Sequence, residues 1–347
     1  MKKDFRCLSC AVSLLLLCAV MPRPARAEQA AGKEKEIPNI IIITLSGVSN
    51  RESIDDPTHQ YISHLWNRII PNGVLYTNLV DLNFQFHMPA VYAINTGENY
   101  DFYDLHNPPQ IRTPSFFQYA RKQFDLPEEK AWIIGRWYMS NVYTDDTFTE
   151  ETLPAYLTIR GFKMSPLLSD ILSRQEQAFV KTFRPLSEQS RTTQWPQWDS
   201  LGTVQFSLFK KIMRTYHPKL VHLVLNDVEV AHFDTFAKYA FALKRSDEKM
   251  GEIWEYIHSS PHYKENTYLF ITVDHERNDY YMHHHEAALN DSPPVWLFMY
   301  GPDIREGTVI DRRIHHIDIF KTVADIIGIE THPTNGRFLR EAFIKKK

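Results

Sequence analysis

Cysteine is nearly absent from this sequence of 347 residues, in which the only three are Cys7, Cys10 and Cys18. All three lie in the N-terminal segment, so the chain beyond residue 18 carries no thiol group. A chain without thiols can form neither a disulfide framework nor a metal site built from thiolate ligands.

A strong excess of basic residues is also missing. The sequence has 39 Lys and Arg residues against 42 Asp and Glu residues, which gives a formal net charge of −3. Domains that bind nucleic acids usually carry a pronounced basic patch, and we therefore expect no nucleic-acid partner. No internal repeat or low-complexity tract is evident in the sequence.

The N-terminal apolar run AVSLLLLCAV, residues 11–20, is too short to span a bilayer comfortably. Basic residues precede it and the small-residue exit Ala25-Arg26-Ala27 follows it, in the order of a secretory signal peptide with an A-x-A cleavage site. We predict that residues 1–27 are removed. The mature protein, residues 28–347, is then expected in the periplasm or secreted, without a stable membrane span.

Five short, uninterrupted apolar runs predict strands that are buried on both faces of a parallel sheet. They cover residues 40–45, 131–134, 220–225, 268–273 and 295–300. Amphipathic stretches predict helices over residues 113–122, 204–216, 237–257 and 316–327. This alternation predicts a single α/β domain with a doubly wound, mostly parallel sheet and helices on both faces. Residues 137–198, which are less periodic, are predicted to form a cap insertion.

Chemically useful side chains follow three of these runs. Ser46 follows the first, Glu229 lies shortly after the third, and Asp274 with His275 follows the fourth. Ligands of doubly wound sheets bind beyond the carboxyl ends of the strands. Carboxylates and imidazoles are suitable ligands for zinc or manganese. We therefore expect a metal centre at this edge, although a lone Asp-His pair is more often a helix cap beside a loop histidine.

Two further histidine groups strengthen the prediction of a metal centre. His232 lies three residues after Glu229, and the run His283, His284 and His285 lies about ten residues beyond the Asp-His pair. Three consecutive histidines are often only a solvated loop. Three groups of His and carboxylate side chains that all follow parallel strands favour a common metal site.

The order of these clusters resembles the alkaline phosphatase superfamily, in particular its phosphodiesterase and sulfatase-like branches, over nearly the whole mature chain. TLSGV, residues 44–48, resembles the family's Thr-x-Asp-Gly after the first strand. FHMPAVYAINTG, residues 86–97, resembles the nucleophile segment, with Pro89 and Gly97 at the family's spacing. The stretch 228–254 resembles the Asp-x-x-His element and its following helix, which includes Asp247.

The second half of the chain continues the resemblance. Asp274 and His275 with Arg277 resemble the family's Asp-His-Gly-Arg, with Glu276 in place of Gly, and PVWLFMYGPDIREGTVI resembles its closing strand and Gly-Pro turn. This resemblance implies the family fold and two metal ions, commonly zinc. It assigns the predicted metal ligands to two groups, with Glu229, His232 and His285 in one and Asp274 and His275 in the other. His284 and Asp227 are the alternatives for the first group.

Two positions depart from the family pattern. Ser46 stands where the family has a metal-binding Asp, and His87 stands at the position of the hydroxyl nucleophile. A serine is neutral and a weak ligand, so the second metal is expected to bind less tightly. His87 can act as a nucleophile, complete a two-histidine, one-carboxylate set for Zn, Mn or Fe, or only hydrogen-bond in a disused site. Ser46 as a replacement nucleophile is disfavoured because it occupies a ligand position.

Two functions are compatible with this pattern. The first is an exported, metal-dependent hydrolase of small-molecule phosphate or sulfate esters with an altered and impaired active site. The hydrolase is expected to bind one or two divalent ions, zinc or manganese. The second function is that of a degenerate relative that keeps the fold and at most one metal ion, and serves as a binding or scaffold protein. Arg277 and Arg136 are candidates for contacting a substrate oxyanion, although an Arg in such a place more often forms a salt bridge.

Overall fold

The structure is a computed structural model that describes residues 37–82, 87–99, 113–135, 144–158, 165–174, 177, 196–231, 235–277 and 293–345. Its centre is an eight-stranded sheet. The strands, in chain order, are β1 Asn39–Leu45, β2 Val74–Leu79, β3 Ala131–Gly135, β4 Ala155–Thr158, β5 Leu220–Leu225, β6 Thr267–Val273, β7 Val295–Tyr300 and β8 Thr308–Ile310.

The strand order across the sheet is β4-β3-β5-β1-β6-β7-β2-β8. All neighbouring strands are parallel except β7, which runs antiparallel to both β6 and β2. The central strands β1, β5 and β6 are buried along their whole length, as expected for strands covered on both faces. The doubly wound, mostly parallel sheet predicted from the sequence is confirmed.

Helices connect the strands and cover the sheet. They are α1 His87–Thr96, α2 Phe116–Phe124, α3 Leu167–Ile171, α4 Pro196–Tyr216, α5 Asp227–Ala231, α6 Phe236–Ser259 and α7 His316–Ile327. A short π-helical turn, Leu65–Ile69, is anchored on α6, because the Asp247 carboxylate accepts hydrogen bonds from the backbone N–H groups of His64 and Leu65, each at 2.8 Å. Asp247, which the family resemblance singles out, therefore holds this turn.

The five predicted strands and four predicted helices all exist. Their ends differ by at most three residues, except that α4 begins at residue 196, eight residues before its predicted start at residue 204. The sequence prediction lacked β2, β4, β8, α1, α3 and α5. In β2 the apolar pattern is broken by the half-buried Thr77 and Asn78, and β8 has only three residues. Strand β4 lies inside residues 137–198, so this part of the predicted cap insertion belongs to the central sheet, where β4 pairs with β3. Much of the remaining insertion lies outside the described residues.

None of the helices in the described part of the chain is both long and apolar enough to cross a membrane.

Candidate metal centre

Three parallel strands end at the same level of the sheet. The last residue of β1, Leu45, is paired in register with Leu225 of β5 and with Val273 of β6. The residues that follow these strands, Ser46 and Asp274 among them, therefore leave the sheet side by side. This is the edge at which the sequence predicts ligand binding.

Asp274 is held by donors from the loop after β1. The Ser46 hydroxyl donates to Asp274 Oδ2 at 2.7 Å, and the Gly47 backbone N–H donates to Oδ1 at 3.0 Å. The backbone N–H of His275 adds a bond of 2.8 Å to Oδ1. Ser46, Asp274 and His275 are at most 1% exposed. Ser46 thus lies beside Asp274 and contributes there a neutral hydrogen-bond donor, and its predicted place in a metal centre stays a prediction.

His275 connects the two predicted ligand groups. Its Nε2 atom lies 3.6 Å from Glu229 Oε2 and 3.7 Å from Asp274 Oδ1. Its Nδ1 atom lies 3.0 Å from the backbone oxygen of Glu276, and because a carbonyl oxygen only accepts, Nδ1 carries the proton and donates. Burial alone would lower the pKa of His275, but the Asp274 and Glu229 carboxylates raise it above its ordinary value. Nε2 therefore faces a concentration of negative charge.

The residues after His275 are bound to the same β1 loop. Glu276 accepts a hydrogen bond of 2.5 Å from the Ser49 hydroxyl, and burial raises the pKa of its carboxyl group. Arg277 forms a buried ion pair with Glu52, and its guanidinium lies 4.5 Å from the ring centroid of Tyr239. The guanidinium of Arg277 is thereby engaged by protein groups. A role of Arg277 toward a substrate oxyanion stays a prediction.

A buried histidine ties the strands to helix α1. His222, in the middle of β5, lies between Thr44 Oγ1 at 2.9 Å and Asn95 Oδ1 at 2.7 Å. An amide oxygen only accepts, so Nδ1 donates to Asn95 and Nε2 accepts from the Thr44 hydroxyl. Burial lowers the pKa of His222 to about 3, which keeps the ring neutral. Helix α1, whose first residue is His87, is thus fixed to β1 and β5.

The described residues contain only part of the predicted site. The side chain of His87 and the whole of His232, His284, His285 and Arg136 lie outside them. Their predicted roles stay predictions. Asp227, the alternative ligand, is described, and its carboxylate forms a buried ion pair with Lys249 Nζ at 2.8 Å.

Sequence reasoning missed several residues of this region. Ser49 and Glu52 bind Glu276 and Arg277, and their signal is weak because they belong to a loop without periodicity. Asp81 and His316 form a buried pair near the end of β6. Asp81 follows an apolar strand in the same way as Asp274 does, so the rule that found Asp274 would also have found Asp81 if β2 had been recognised.

No group of three His, Cys, Asp or Glu side chains within the described ranges is arranged to hold a metal ion by itself. Glu229, Asp274 and His275 nevertheless converge in a manner that suits a cation. Two ligand atoms of a tetrahedral zinc lie about 3.4 Å apart when each bond is about 2.0–2.1 Å, which is near the separations of 3.6 and 3.7 Å at Nε2 of His275. Metal-bound histidines also typically donate their other ring N–H to a carbonyl or carboxylate, as His275 does.

Comparisons with known proteins agree at the level of the fold. No family model matches the chain, and no curated protein matches it. The chain is similar in structure to a phosphonate monoester hydrolase of Agrobacterium radiobacter, with a TM-score of 0.58, 13% identity, and coverage of 88% of this chain and 77% of that one. It is similar to a sulfatase from Pseudoalteromonas sp., with a TM-score of 0.56, 14% identity, and coverage of 86% and 69%.

A third similar structure is a protein in the alkaline phosphatase superfamily from Vibrio parahaemolyticus. Its TM-score is 0.52, with 14% identity and coverage of 88% of this chain and 70% of that one. Identities this low establish a common fold and leave the chemistry to be argued from the side chains.

Proposed function

The chain has the α/β fold of the alkaline phosphatase superfamily, and from this premise we propose that it is an exported, metal-dependent hydrolase of phosphate or sulfate esters with an altered active site. The observation that carries the proposal is the convergence of Glu229, Asp274 and His275 at the carboxyl ends of β5 and β6. The sulfatase and the phosphonate monoester hydrolase of similar fold support the substrate class.

The described donors supply part of a ligand set whose chemistry suits a divalent metal ion, and the predicted ligands His232 and His285 would complete it. Nε2 of His275 lies 3.6 Å from Glu229 Oε2 and 3.7 Å from Asp274 Oδ1, and so many buried negative charges are favourable only when a proton or a cation lies among them. Glu229, Asp274 and His275 would hold the ion, with His232 and His285 as further ligands predicted from the sequence. Zinc or manganese suits this mixture of imidazole and carboxylate ligands. When bound, the ion would neutralise charge on the ester oxygens and activate a nucleophile.

The protein's own groups prepare this centre in two ways. Backbone and hydroxyl donors at Gly47, His275 and Ser46 fix both oxygens of Asp274 in orientation. The Glu276 carbonyl fixes the ring of His275. Fixed orientation lowers the cost of ordering these ligands when a metal or an ester binds.

A metal assay with isosteric variants tests the proposal. Glu229→Gln and Asp274→Asn keep side-chain shape but remove the negative charge that a metal needs. We expect purified wild type to contain zinc or manganese and to hydrolyse an aryl phosphate, phosphodiester, phosphonate or sulfate. Both variants should lose more metal affinity than the roughly 10- to 100-fold that loss of an outer-shell partner costs.

Glu265→Gln is the matched control, because the Glu265 side chain is 82% exposed. It should retain the metal content and ester turnover of the wild type. Equal metal content and equal turnover in all four proteins would refute the proposed centre.

Export is tested separately. N-terminal sequencing of the protein from the extracytoplasmic fraction should begin near Glu28, because the Ala25-Arg26-Ala27 exit directs cleavage there. A protein that retains Met1 in that fraction, or that stays with membranes after a salt wash, would contradict this part of the proposal.

A second function is favoured by one observation. Ser46 donates a hydrogen bond to Asp274 in the place where a carboxylate would be expected to share a metal. A protein that keeps the fold and serves as a binding or scaffold protein would show this kind of neutral replacement. Zero metal equivalents and no turnover of any ester in the purified wild type would favour this alternative.

A further inference from the structure

A buried imidazole beside the candidate centre is hydrogen-bonded at both ring nitrogens. His316, the first residue of α7, is 2% exposed. Its Nε2 atom lies 2.9 Å from the backbone oxygen of Val273, and its Nδ1 atom lies 2.9 Å from Asp81 Oδ1. A carbonyl and a carboxylate are both acceptors, so the ring donates at both ends. Burial alone would lower the pKa of His316, but the Asp81 carboxylate raises it.

The topology places this pair at the edge of the sheet that carries the metal ligands. Strands β2 and β6 are both antiparallel to β7, so they run in the same direction. Asp81, just beyond the end of β2, therefore emerges at the same edge as Asp274, just beyond the end of β6. Val273 is the last residue of β6 and shares a peptide plane with Asp274.

Asp81 is not fully satisfied by the fold. Its side chain is 6% exposed, and its second oxygen, Oδ2, is buried and has no hydrogen-bond partner among the residues that the structure describes. A buried acceptor without a partner costs about 1–3 kcal/mol. A hydrophobic pair at these positions would avoid this cost, so helix and sheet packing alone do not account for the charged pair.

We propose that His316 is a positioning residue for Asp274. Its Nε2–H fixes the Val273 carbonyl, and with it the peptide plane that sets the starting direction of the Asp274 side chain. Asp81 fixes the ring from the other side. This inference rests on the proposed metal centre and adds to it the residues that orient one of its ligands.

Two variants of His316 each keep one of the two hydrogen bonds that its imidazole ring donates. In His316→Asn the amide nitrogen can replace Nδ1 and keep the bond to Asp81, but nothing reaches the Val273 carbonyl. In His316→Gln the amide nitrogen can replace Nε2 and keep the bond to Val273. The affinity of metal-free protein for Zn²⁺ is measured by competition titration, and the folded state is monitored by thermal unfolding.

We expect His316→Asn to weaken Zn²⁺ binding by about 10- to 100-fold, as for other groups that orient a metal ligand. His316→Gln should stay within about threefold of the wild type, because it preserves the Val273 bond. The control is His315→Gln, at the same helix terminus, whose amide nitrogen takes the place of Nε2 and does not replace Nδ1. The Nδ1 atom of His315 lies 2.8 Å from the Val80 backbone oxygen, so this variant disturbs the helix start without touching Val273.

The outcomes are distinct. Wild-type affinity in His316→Asn, or an equal loss in His315→Gln, would overturn the positioning role while leaving the metal centre intact. A wild type that binds no Zn²⁺ would overturn the proposed centre and this inference together. If His316→Asn does not fold, Asp81→Ala decides in its place. It releases the ring from its anchor and should weaken Zn²⁺ binding by a similar factor, and wild-type affinity in that variant would refute the inference.

Discussion

The Ser46 hydroxyl donates a 2.7 Å hydrogen bond to Asp274 Oδ2, with both side chains fully buried. A hydroxyl hydrogen offers Asp274 a partial positive charge at the point where a metal would offer a full one. The bond therefore stabilises the Asp274 carboxylate without a second metal ion. We therefore interpret Ser46, which follows β1, as a neutral group that stabilises the Asp274 carboxylate in place of a metal ion.

Replacing Ser46 tests whether its hydroxyl group takes the place of a metal ion beside Asp274. In Ser46→Asp a second carboxylate adjoins Asp274, and like charges in a buried place repel unless a cation is present. We expect this variant to unfold at a lower temperature than wild type without metal, to gain more thermal stability from Zn²⁺, and to bind more zinc per chain. Thermal unfolding with and without Zn²⁺, together with elemental analysis, measures all three.

Ser46→Ala is the matched variant for that test. It removes the hydrogen bond but adds no charge, so it should cost about 1–3 kcal/mol of stability without raising the zinc content. If Ser46→Asp and Ser46→Ala respond to Zn²⁺ alike, the serine does not stand in for a metal.

The spacing of His87 from Pro89 and Gly97 predicts that it stands at the nucleophile position of the family that the sequence resembles. The double variant His87→Thr with Ser46→Asp supplies both groups that the family mechanism requires, a hydroxyl and a carboxylate. We expect it to raise the hydrolysis of an aryl phosphate, phosphodiester or sulfate above that of wild type, measured as kcat/KM. An active wild type whose activity is abolished by the double variant would show that His87 performs the chemistry itself.

His222 predicts a dependence of stability on pH. Its pKa of about 3 in the folded protein lies below the ordinary value of about 6.5 in the unfolded chain. As pH falls below about 6.5 the unfolded state takes up a proton that the folded state refuses, so stability is lost progressively down to about pH 3. The loss attributable to this residue is about 2 kcal/mol between pH 7 and pH 5.

Urea unfolding at both pH values measures this loss. His222→Gln should be less stable than wild type at pH 7, because the bonds to Thr44 and Asn95 are disturbed. Its stability should decline less between pH 7 and pH 5, since Gln does not titrate. Parallel declines in the two proteins would assign the pH dependence to other groups.

Arg277 and Glu52 form a buried pair, with side chains that are 6% and 9% exposed. Arg277→Ala leaves Glu52 charged, buried and unpaired, which we expect to cost about 3–5 kcal/mol. Adding Glu52→Ala should recover part of that loss, and a double-mutant cycle by urea unfolding measures the coupling. If Arg277→Ala keeps full stability and lowers only ester hydrolysis, the arginine serves the substrate and not the fold.

Gly97 ends α1 in a left-handed conformation with φ of 72°, and a Cβ atom there would lie 2.4 Å from Cδ1 of Phe320. Gly328 has φ of 77° but no atom within 4 Å of the corresponding position. Both Gly→Ala variants incur about 1–2 kcal/mol of backbone strain, and Gly97→Ala adds an overpacking cost of roughly 1–3 kcal/mol. Equal losses for the two variants in urea unfolding would exclude the Phe320 contact as a cause.

The sequence was sufficient for the centre of the fold, because β1, β5 and β6 are short, mostly apolar runs rich in β-branched residues, which is the pattern of buried parallel strands. It was insufficient for β2, in which Thr77 and Asn78 interrupt the pattern. Because β2 was not predicted, Asp81, which follows it, was not recognised as a residue at this edge of the sheet. The positions of Ser46, Asp274 and His275 could be predicted because these residues directly follow the ends of predicted strands. The pairing of Arg277 with Glu52 could not be predicted, since it joins side chains 225 positions apart through a loop without periodicity.

Strands β1, β5 and β6 end at the same level of the sheet, so the geometry of the candidate centre depends on the number of residues in each strand. Each residue in a strand advances the chain by about 3.3 Å and reverses the side-chain direction. Losing one residue from β6 would therefore turn Asp274 away from Ser46, whatever residue types remained. A substitution at Ser46 or Glu276 leaves the alignment of the strand ends unchanged, whereas an insertion or deletion preserves that alignment only when it falls in a loop that joins the strands.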